Sequence, residues 1–268
     1  MNSSEKLSKN IVDIPTQIGV DNFGILNESP TSENYQNSMT TCIALLADDG
    51  KSVVVATDKM LSINVAANTP YELDDDRHKK IIELNSRIVV LIAGNIETAT
   101  AIFSQLKIDE SLQPLAATEA VRKAYAQYVL DAKEKNILQP IALTWERYFK
   151  EQSSMNQAIV NDIHKKLQDY NCGVEVVVTG QDSTTNLCHI FLVGLSGVSF
   201  DKTDAGFATI GSGWSIATFT ILQSGFNKSK KLTEIEALAK KVMQEASHAP
   251  GVGKLTESLV LPKTKPKE

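Results

Sequence analysis

Three side chains in the first third of the sequence have the types that nucleophilic catalysis needs: the Thr40 hydroxyl, the Asp58 carboxylate and the Lys80 ammonium. A threonine hydroxyl is a weak nucleophile, and it needs an adjacent base to take its proton. The α-amine of the same residue can be that base, because its ordinary pKa is about 8 and it can be neutral at working pH. This chemistry requires that Thr40 have a free amino terminus.

Two apolar runs, residues 40–47 and 52–58, bring Thr40 and Asp58 together. Both runs are rich in aliphatic and β-branched residues, and Asp48-Asp49-Gly50 between them is a turn sequence. They predict an antiparallel hairpin, which places the start of its first strand beside the end of its second. The alternative is an ordinary buried hairpin, because threonine is common in strands.

A second strand pair is predicted to follow Lys80. Residues 81–84 and 87–94 are largely apolar, and Asn85-Ser86 between them is a turn sequence. A lysine that opens a buried strand can place its ammonium inside a cleft, although it can also be a solvated strand end. We favour Lys80 over Lys79 because Lys80 directly precedes the apolar residues.

Farther along the chain, helical and strand periodicities alternate in blocks. Apolar spacing predicts helices at 96–106, 115–130, 141–169, 214–225 and 232–247, and strands at 173–180, 189–194, 207–210 and 255–261. Strands linked as hairpins and separated by helical blocks are typical of antiparallel sheets covered by helices. The predicted class is therefore α+β.

Composition excludes several classes of function. The chain has 268 residues, 42% of them hydrophobic, and a net charge of −5 with mixed signs, which makes nucleic acid an unsuitable partner. Its 3 cysteines are an odd number without metal-ligand spacing, so we expect free thiols in a reducing compartment, no metal and no cofactor. Without a membrane-spanning or signal-peptide pattern, we expect no membrane partner and a cytoplasmic location.

Residues 1–39 form a polar extension, residues 40–262 the predicted domain, and residues 263–268 a polar tail. The extension ends at Met39, directly before Thr40. Three interpretations stay open. A propeptide is cut at Met39-Thr40, or Met39 is the true initiator and is removed, or nothing is removed and Thr40 has no free amine.

Several motifs together resemble the β subunits of the proteasome and their simpler bacterial relatives, the peptidase subunits of compartmental ATP-dependent proteases. The resemblance covers most of residues 40–261. It depends on Thr40-Thr41 opening a hairpin and on short motifs in the family's order, namely Ala56-Thr57-Asp58, Lys79-Lys80-Ile81, Ile92-Ala93-Gly94, Val178-Thr179-Gly180-Gln181-Asp182 and Ile210-Gly211-Ser212-Gly213. It implies a four-layer αββα N-terminal-nucleophile (Ntn) hydrolase that acts as a threonine endopeptidase through an acyl-enzyme ester.

The resemblance also implies a role for each matching residue. Thr40 is the nucleophile, and Lys80, held by Asp58, lowers the proton affinity of its amine and hydroxyl. The Gly94 N–H faces the oxyanion, and Ser212 orients the amine. Ile92 and Ile96 line the pocket for the substrate residue before the scissile bond.

Homo-oligomeric rings, a polypeptide substrate and an ATP-dependent unfoldase as partner are further implications of the resemblance. One departure concerns residues 248–253, which lack the Asp and Ser that the family carries near its C-terminus. Residues 141–169 look like a helical insertion, and the connection 62–76 is long. Two other functions therefore stay open: an inactive structural ring subunit, and an amidase for small molecules. An exposed Cys42 would be a nucleophile of the amidase kind.

Overall fold

The computed structural model describes residues 40–60, 79–104, 106, 109–194 and 197–263. The predictions for the extension 1–39, for the Met39-Thr40 junction and for the connection 62–76 lie outside the described residues. So does the polar tail beyond Lys263.

Strands in the described residues form two antiparallel sheets. The first sheet has the order β8-β1-β2-β9 and the second β3-β4-β5-β6-β7. The strands are β1 (Cys42–Ala47), β2 (Ser52–Asp58), β3 (Ile81–Glu83), β4 (Ile88–Gly94), β5 (Val174–Gln181), β6 (Cys188–Val193), β7 (Ser199–Asp201), β8 (Phe207–Ile210) and β9 (Thr256–Leu261).

The predicted N-terminal hairpin is confirmed. β1 pairs with β2 in antiparallel register, with Cys42 opposite Thr57. The reversal between them uses three consecutive left-handed residues, with φ of 51° at Asp48, 57° at Asp49 and 84° at Gly50. Asp and Gly tolerate this conformation better than most residues, so the turn sequence fixes the register of the two strands.

Helices occupy the predicted blocks, with one difference. They are α1 (Ile96–Phe103), α2 (Pro114–Lys133), α3 (Trp145–Glu151), α4 (Gln157–Asp169), α5 (Trp214–Gln223) and α6 (Leu232–Ala246). The helical block predicted at 141–169 is two helices, because the Thr144 hydroxyl caps the start of α3 and the Asn156 side chain caps the start of α4.

Three apolar clusters contain the buried side chains around the sheets. One cluster takes residues from both sheets, including Cys42, Leu91 and Val177. A second joins β4–β6 to α1 and α2, and a third joins β1 and β2 to α5 and α6. The predicted α+β class with antiparallel sheets is confirmed. None of the helices in the described ranges combines the length and apolarity that crossing a membrane requires.

Candidate active site

Asp58, the last residue of β2, is fully buried and accepts hydrogen bonds on both carboxylate oxygens. The Thr41 amide donates to Oδ1 at 2.7 Å, and the Met60 and Gly253 amides each donate to Oδ2 at 3.1 Å. The Lys80 ammonium lies 3.2 Å from Oδ1 and 3.1 Å from Oδ2. Donors thus surround the carboxylate, which offsets the cost of burying its charge.

Lys80 immediately precedes β3 and is only 5% exposed, whereas the neighbouring Lys79 is exposed. The Lys80 carbonyl accepts a hydrogen bond from the Ile92 amide at 3.0 Å, which ties this point of the chain to β4. Because the backbone is held on one side and the ammonium on the other, the positive charge has a fixed position at the end of the hairpin.

Thr40 lies against the turn Gly211-Ser212-Gly213, which follows β8. Its amide donates to Ser212 Oγ at 3.3 Å, while Ser212 Oγ and the Gly213 amide donate to the Thr40 carbonyl, each at 3.4 Å. Gly211 has φ of +87°, and a Cβ there would lie 2.1 Å from the Thr40 carbonyl oxygen. A Cβ at Gly213 would lie 2.0 Å from Thr41 Oγ1. The approach of the turn therefore requires glycine at both positions.

Gly94 ends β4 at the junction with α1. Its φ is +108°, and a Cβ there would lie 1.9 Å from the Gly173 carbonyl oxygen. Asn95 donates its amide to the same Gly173 oxygen at 2.9 Å, and its side chain caps α1 by accepting from the Thr98 amide at 2.9 Å. The backbone at Gly94 is therefore held closely on the β5 side.

The two isoleucines near Gly94 have different environments. Ile92 is 2% exposed and packs in the cluster that joins β4–β6 to α1 and α2, together with Ala99 and Ile102. Ile96 is the first residue of α1 and is half-buried. Their role in binding substrate stays a prediction.

Cys42 is completely buried and two residues from Thr40. Its thiol donates to the Ile92 carbonyl at 3.3 Å and lies 3.2 Å from Thr57 Oγ1. Burial raises the pKa of this thiol to about 12, and the nearby Lys80 ammonium offsets only part of that rise. Cys42 is therefore a core residue in this structure, and its buried environment disfavours the nucleophilic thiolate.

Glu175 is a residue at this site that the sequence interpretation did not single out. It lies in β5 opposite Ala93, and its Oε2 accepts a hydrogen bond from the Gly211 amide at 3.0 Å. Desolvation raises the pKa of the Glu175 carboxyl, and the hydrogen bond from Gly211 opposes that rise. The available signal was an acidic residue within a run of valines.

Residues 248–253 contribute backbone to the site. Gly253 donates its amide to Asp58, as described above, whereas the His248 side chain is 72% exposed and bonds to the Glu245 carbonyl at 3.1 Å. Within the described ranges, no group of three or more His, Cys, Asp and Glu residues is arranged to hold a metal ion.

The fold is proteasome-like, with two antiparallel sheets, helices packed on them and Thr40 two residues before the first residue of β1. A similar solved structure is that of Anbu (ancestral beta-subunit) from Yersinia bercovieri, with a TM-score of 0.54 and 14% sequence identity over 83% of this chain and 82% of that chain. At this identity the likeness shows the fold alone. No protein-family model matches the sequence, and no curated protein does.

Proposed function

We propose that this chain is a threonine-type endopeptidase of proteasome β-subunit type, with Thr40 as its N-terminal nucleophile. The observation that carries the proposal is the position of the buried Asp58 between the Thr41 amide and the Lys80 ammonium. A buried ion pair is a costly feature that well-packed hydrophobic residues could replace, so its presence beside Thr41 supports a role beyond stability.

The proposal includes the four-layer αββα arrangement of an Ntn hydrolase. The apolar clusters support it: one is built from both sheets, and each of the other two is built from one sheet with its own pair of helices. In such an arrangement Thr40, which is 3% exposed in this structure, would lie at the end of the space between the sheets.

The first chemical step uses Thr40 alone as nucleophile and base. Its free α-amine accepts the proton of the Oγ1 hydroxyl as Oγ1 attacks the carbonyl carbon of the scissile peptide. The carbonyl oxygen becomes negatively charged, and the Gly94 N–H donates to it. A well-placed donor of this kind typically lowers the barrier by about 3 kcal/mol.

The second step expels the leaving amine. The α-ammonium returns its proton to the peptide nitrogen, the C–N bond breaks, and an ester joins the substrate acyl group to Thr40 Oγ1.

In the last step a water molecule attacks this ester, giving its proton to the α-amine. The carboxylic acid leaves, and Oγ1 recovers the proton, so that the enzyme returns to its starting state.

Lys80 and Asp58 act through charge in this mechanism. A protonated Lys80 disfavours further positive charge on the Thr40 amine and favours an ionised hydroxyl. Asp58 fixes the ammonium with contacts of 3.1 and 3.2 Å to its two oxygens. Ser212, which already accepts from the Thr40 nitrogen at 3.3 Å, would orient the free amine.

The proposal also covers the assembly, location, partner and substrate pocket that this class of enzyme implies. Subunits would assemble as a homo-oligomeric ring in the cytoplasm, and an ATP-dependent unfoldase would deliver unfolded polypeptides. Ile92 and Ile96 would line an apolar pocket for the residue before the scissile bond.

One observation favours a second candidate, an inactive structural ring subunit. The loop 248–253 brings a backbone amide to Asp58 but has no acidic or hydroxyl side chain of its own. If that loop must supply a polar side chain for efficient turnover, the chain would keep the fold without the activity.

Two measurements test the proposal. Intact mass and N-terminal sequencing of the protein isolated from its own cells should show a chain that begins at Thr40. A chain that retains residues 1–39 in full would refute the hydrolase as proposed.

Turnover of fluorogenic peptides should then be lost in Thr40→Ala, and it should survive in Thr184→Ala, a control in an exposed turn after β5. Equal rates in wild type and Thr40→Ala would remove Thr40 from the mechanism. No turnover by the wild type, with Thr40 exposed, would favour the structural subunit. Cleavage of short peptides without degradation of an unfolded protein would favour a small-molecule amidase.

A further inference from the structure

Glu175 lies within the run of valines that opens β5. Its neighbours Val174, Val176, Val177 and Val178 are fully buried, and strand alternation puts Glu175 on the same face as Val177, which packs in the cluster between the sheets. A carboxylate at such a place loses hydration, and one backbone donor compensates only part of that loss. A residue needed for packing alone would be apolar like its neighbours.

The hydrogen bond of Glu175 leads directly to Thr40. Its Oε2 accepts from the Gly211 amide at 3.0 Å, and Gly211 touches the Thr40 carbonyl so closely that a Cβ would lie 2.1 Å from that oxygen. The next two residues, Ser212 and Gly213, make the hydrogen bonds to the Thr40 nitrogen and carbonyl. Glu175 therefore fixes the first residue of the turn whose second and third residues hold the nucleophile.

The second sheet also supports the turn at this point. Ala93, the partner of Glu175 across the ladder, has its Cβ 3.2 Å from the place where a Gly211 Cβ would be. Glu175 and Ala93 thus meet the turn together, one with a polar contact and one with an apolar contact. Through them β4 and β5 of the second sheet brace a turn that belongs to the first sheet.

We propose that Glu175 is a positioning residue of the Thr40 site, which holds the Gly211–Gly213 turn so that Ser212 orients the Thr40 amine. This inference rests on the proposed function, because orienting the amine matters only if Thr40 is a nucleophile. Glu175 does not touch substrate in this scheme. It acts through the Gly211 amide, so its loss should lower kcat and leave KM unchanged.

The test compares Glu175→Ala, which removes the acceptor, with Glu175→Gln, which keeps an acceptor oxygen without the charge. Glu119→Ala is the control, because Glu119 is an exposed residue of α2 that pairs with Arg122 on the same helix. Two properties of each protein, isolated from its own cells, are measured: amide hydrogen exchange of the segment around Gly211, and kcat and KM for a fluorogenic peptide.

We expect Glu175→Ala to speed exchange in the 211–213 segment about tenfold and to lower kcat about tenfold, because a lost acceptor leaves a buried N–H unpaired. Glu175→Gln should stay within about threefold of wild type in both measurements, and Glu119→Ala should match wild type. Exchange within β6 should be the same in all four proteins.

The two measurements separate failure of this inference from failure of the proposed function. If exchange is faster in Glu175→Ala but the wild type shows no Thr40-dependent turnover, the peptidase is refuted, and with it the positioning role of Glu175 in catalysis. An active wild type with unchanged kcat in Glu175→Ala would overturn the inference and leave the peptidase standing. A rise in KM in place of a fall in kcat would also overturn it, because that result would place Glu175 in contact with substrate.

Discussion

The Thr41 amide donates to Asp58 Oδ1 at 2.7 Å, the shortest of the contacts that Asp58 receives from described residues. Thr41 Oγ1, by contrast, is buried without a hydrogen-bond partner in the described part of the chain. Thr41, the residue after the proposed nucleophile, is therefore held by its backbone amide. Its side chain packs against Gly213. Asp58 consequently fixes the path of the chain at the site as well as the position of Lys80.

Replacing Asp58 by Asn should destabilise the protein strongly. The substitution leaves the buried Lys80 ammonium unpaired and turns an NH₂ group toward neighbouring donors. Removing one partner of a buried pair typically costs about 3–5 kcal/mol in the free energy of unfolding, which urea denaturation would measure. Asp162→Asn is the matched control, because the Asp162–Lys166 pair is more than half exposed on each side and should contribute less than about 1 kcal/mol. Similar losses in both variants would contradict a special role for Asp58.

Replacing Gly211 by Ala should cost more than replacing Gly225 by Ala. Both glycines have positive φ, +87° and +61°, so each alanine carries a backbone cost of about 1–2 kcal/mol. Only the Gly211 Cβ meets another atom, the Thr40 carbonyl oxygen at 2.1 Å, whereas the Gly225 Cβ has nothing within 4 Å. Thermal unfolding of the two variants measures how much more stability Gly211→Ala loses than Gly225→Ala. We expect this difference in the free energy of unfolding to exceed about 1 kcal/mol. Equal melting temperatures for the two variants would mean that Gly211 does not lie in close contact with the Thr40 carbonyl.

Tyr125 and Tyr148 should respond in opposite ways to loss of the hydroxyl. The Tyr125 hydroxyl donates to the Val174 carbonyl at 3.0 Å and accepts from the Cys172 thiol at 2.9 Å, so Tyr125→Phe should cost about 1–3 kcal/mol. The Tyr148 hydroxyl is buried without a partner among the described residues, so Tyr148→Phe should be neutral or stabilising. Urea unfolding of both variants checks the contrast. A loss above about 1 kcal/mol in Tyr148→Phe would reveal a bond to that hydroxyl.

The contribution of Glu175 to stability should depend on pH. Burial raises the pKa of Glu175 above its ordinary value of 4.5, so between these two values the folded state binds more protons than the unfolded state. Stability due to this group is therefore greatest at acidic pH and falls as pH rises from 4.5 through the raised pKa. Glutamine does not titrate, so the free energy of unfolding of Glu175→Gln minus that of the wild type should increase as pH rises through this window. Above the window the difference should be constant. Curves that run parallel through that window would contradict the direction of the pKa shift.

The hairpin at the site was predictable because its information is local. Asp48, Asp49 and Gly50 adopt the left-handed conformations that a tight reversal needs, and the apolar runs on either side specify two buried strands. Once the reversal is fixed, strand register places Thr41 opposite Asp58. The short strand β7 was missed, because three largely exposed residues show no alternation of apolar and polar positions.

The contribution of Glu175 could not be predicted in the same way. It depends on which residue of β5 faces the turn after β8, and these elements belong to different sheets. Sequence patterns specify the period of each strand but do not specify how two sheets are placed on each other. The requirement for glycine at 213 has the same origin, since the contact that excludes a Cβ is the Thr41 hydroxyl, far away in the sequence.

The contact between the Thr40 nitrogen and Ser212 joins residues 172 positions apart, and this separation has a consequence for synthesis. A ribosome that adds about 5–20 residues per second makes Ser212 roughly 9–34 s after Thr40. During that interval the growing chain contains Thr40 but lacks the turn 211–213, which bonds to it. It also lacks β8, the strand that pairs with β1. Under the function proposed above, a newly translated chain therefore lacks the contact that would orient the Thr40 amine until most of the polypeptide has been made.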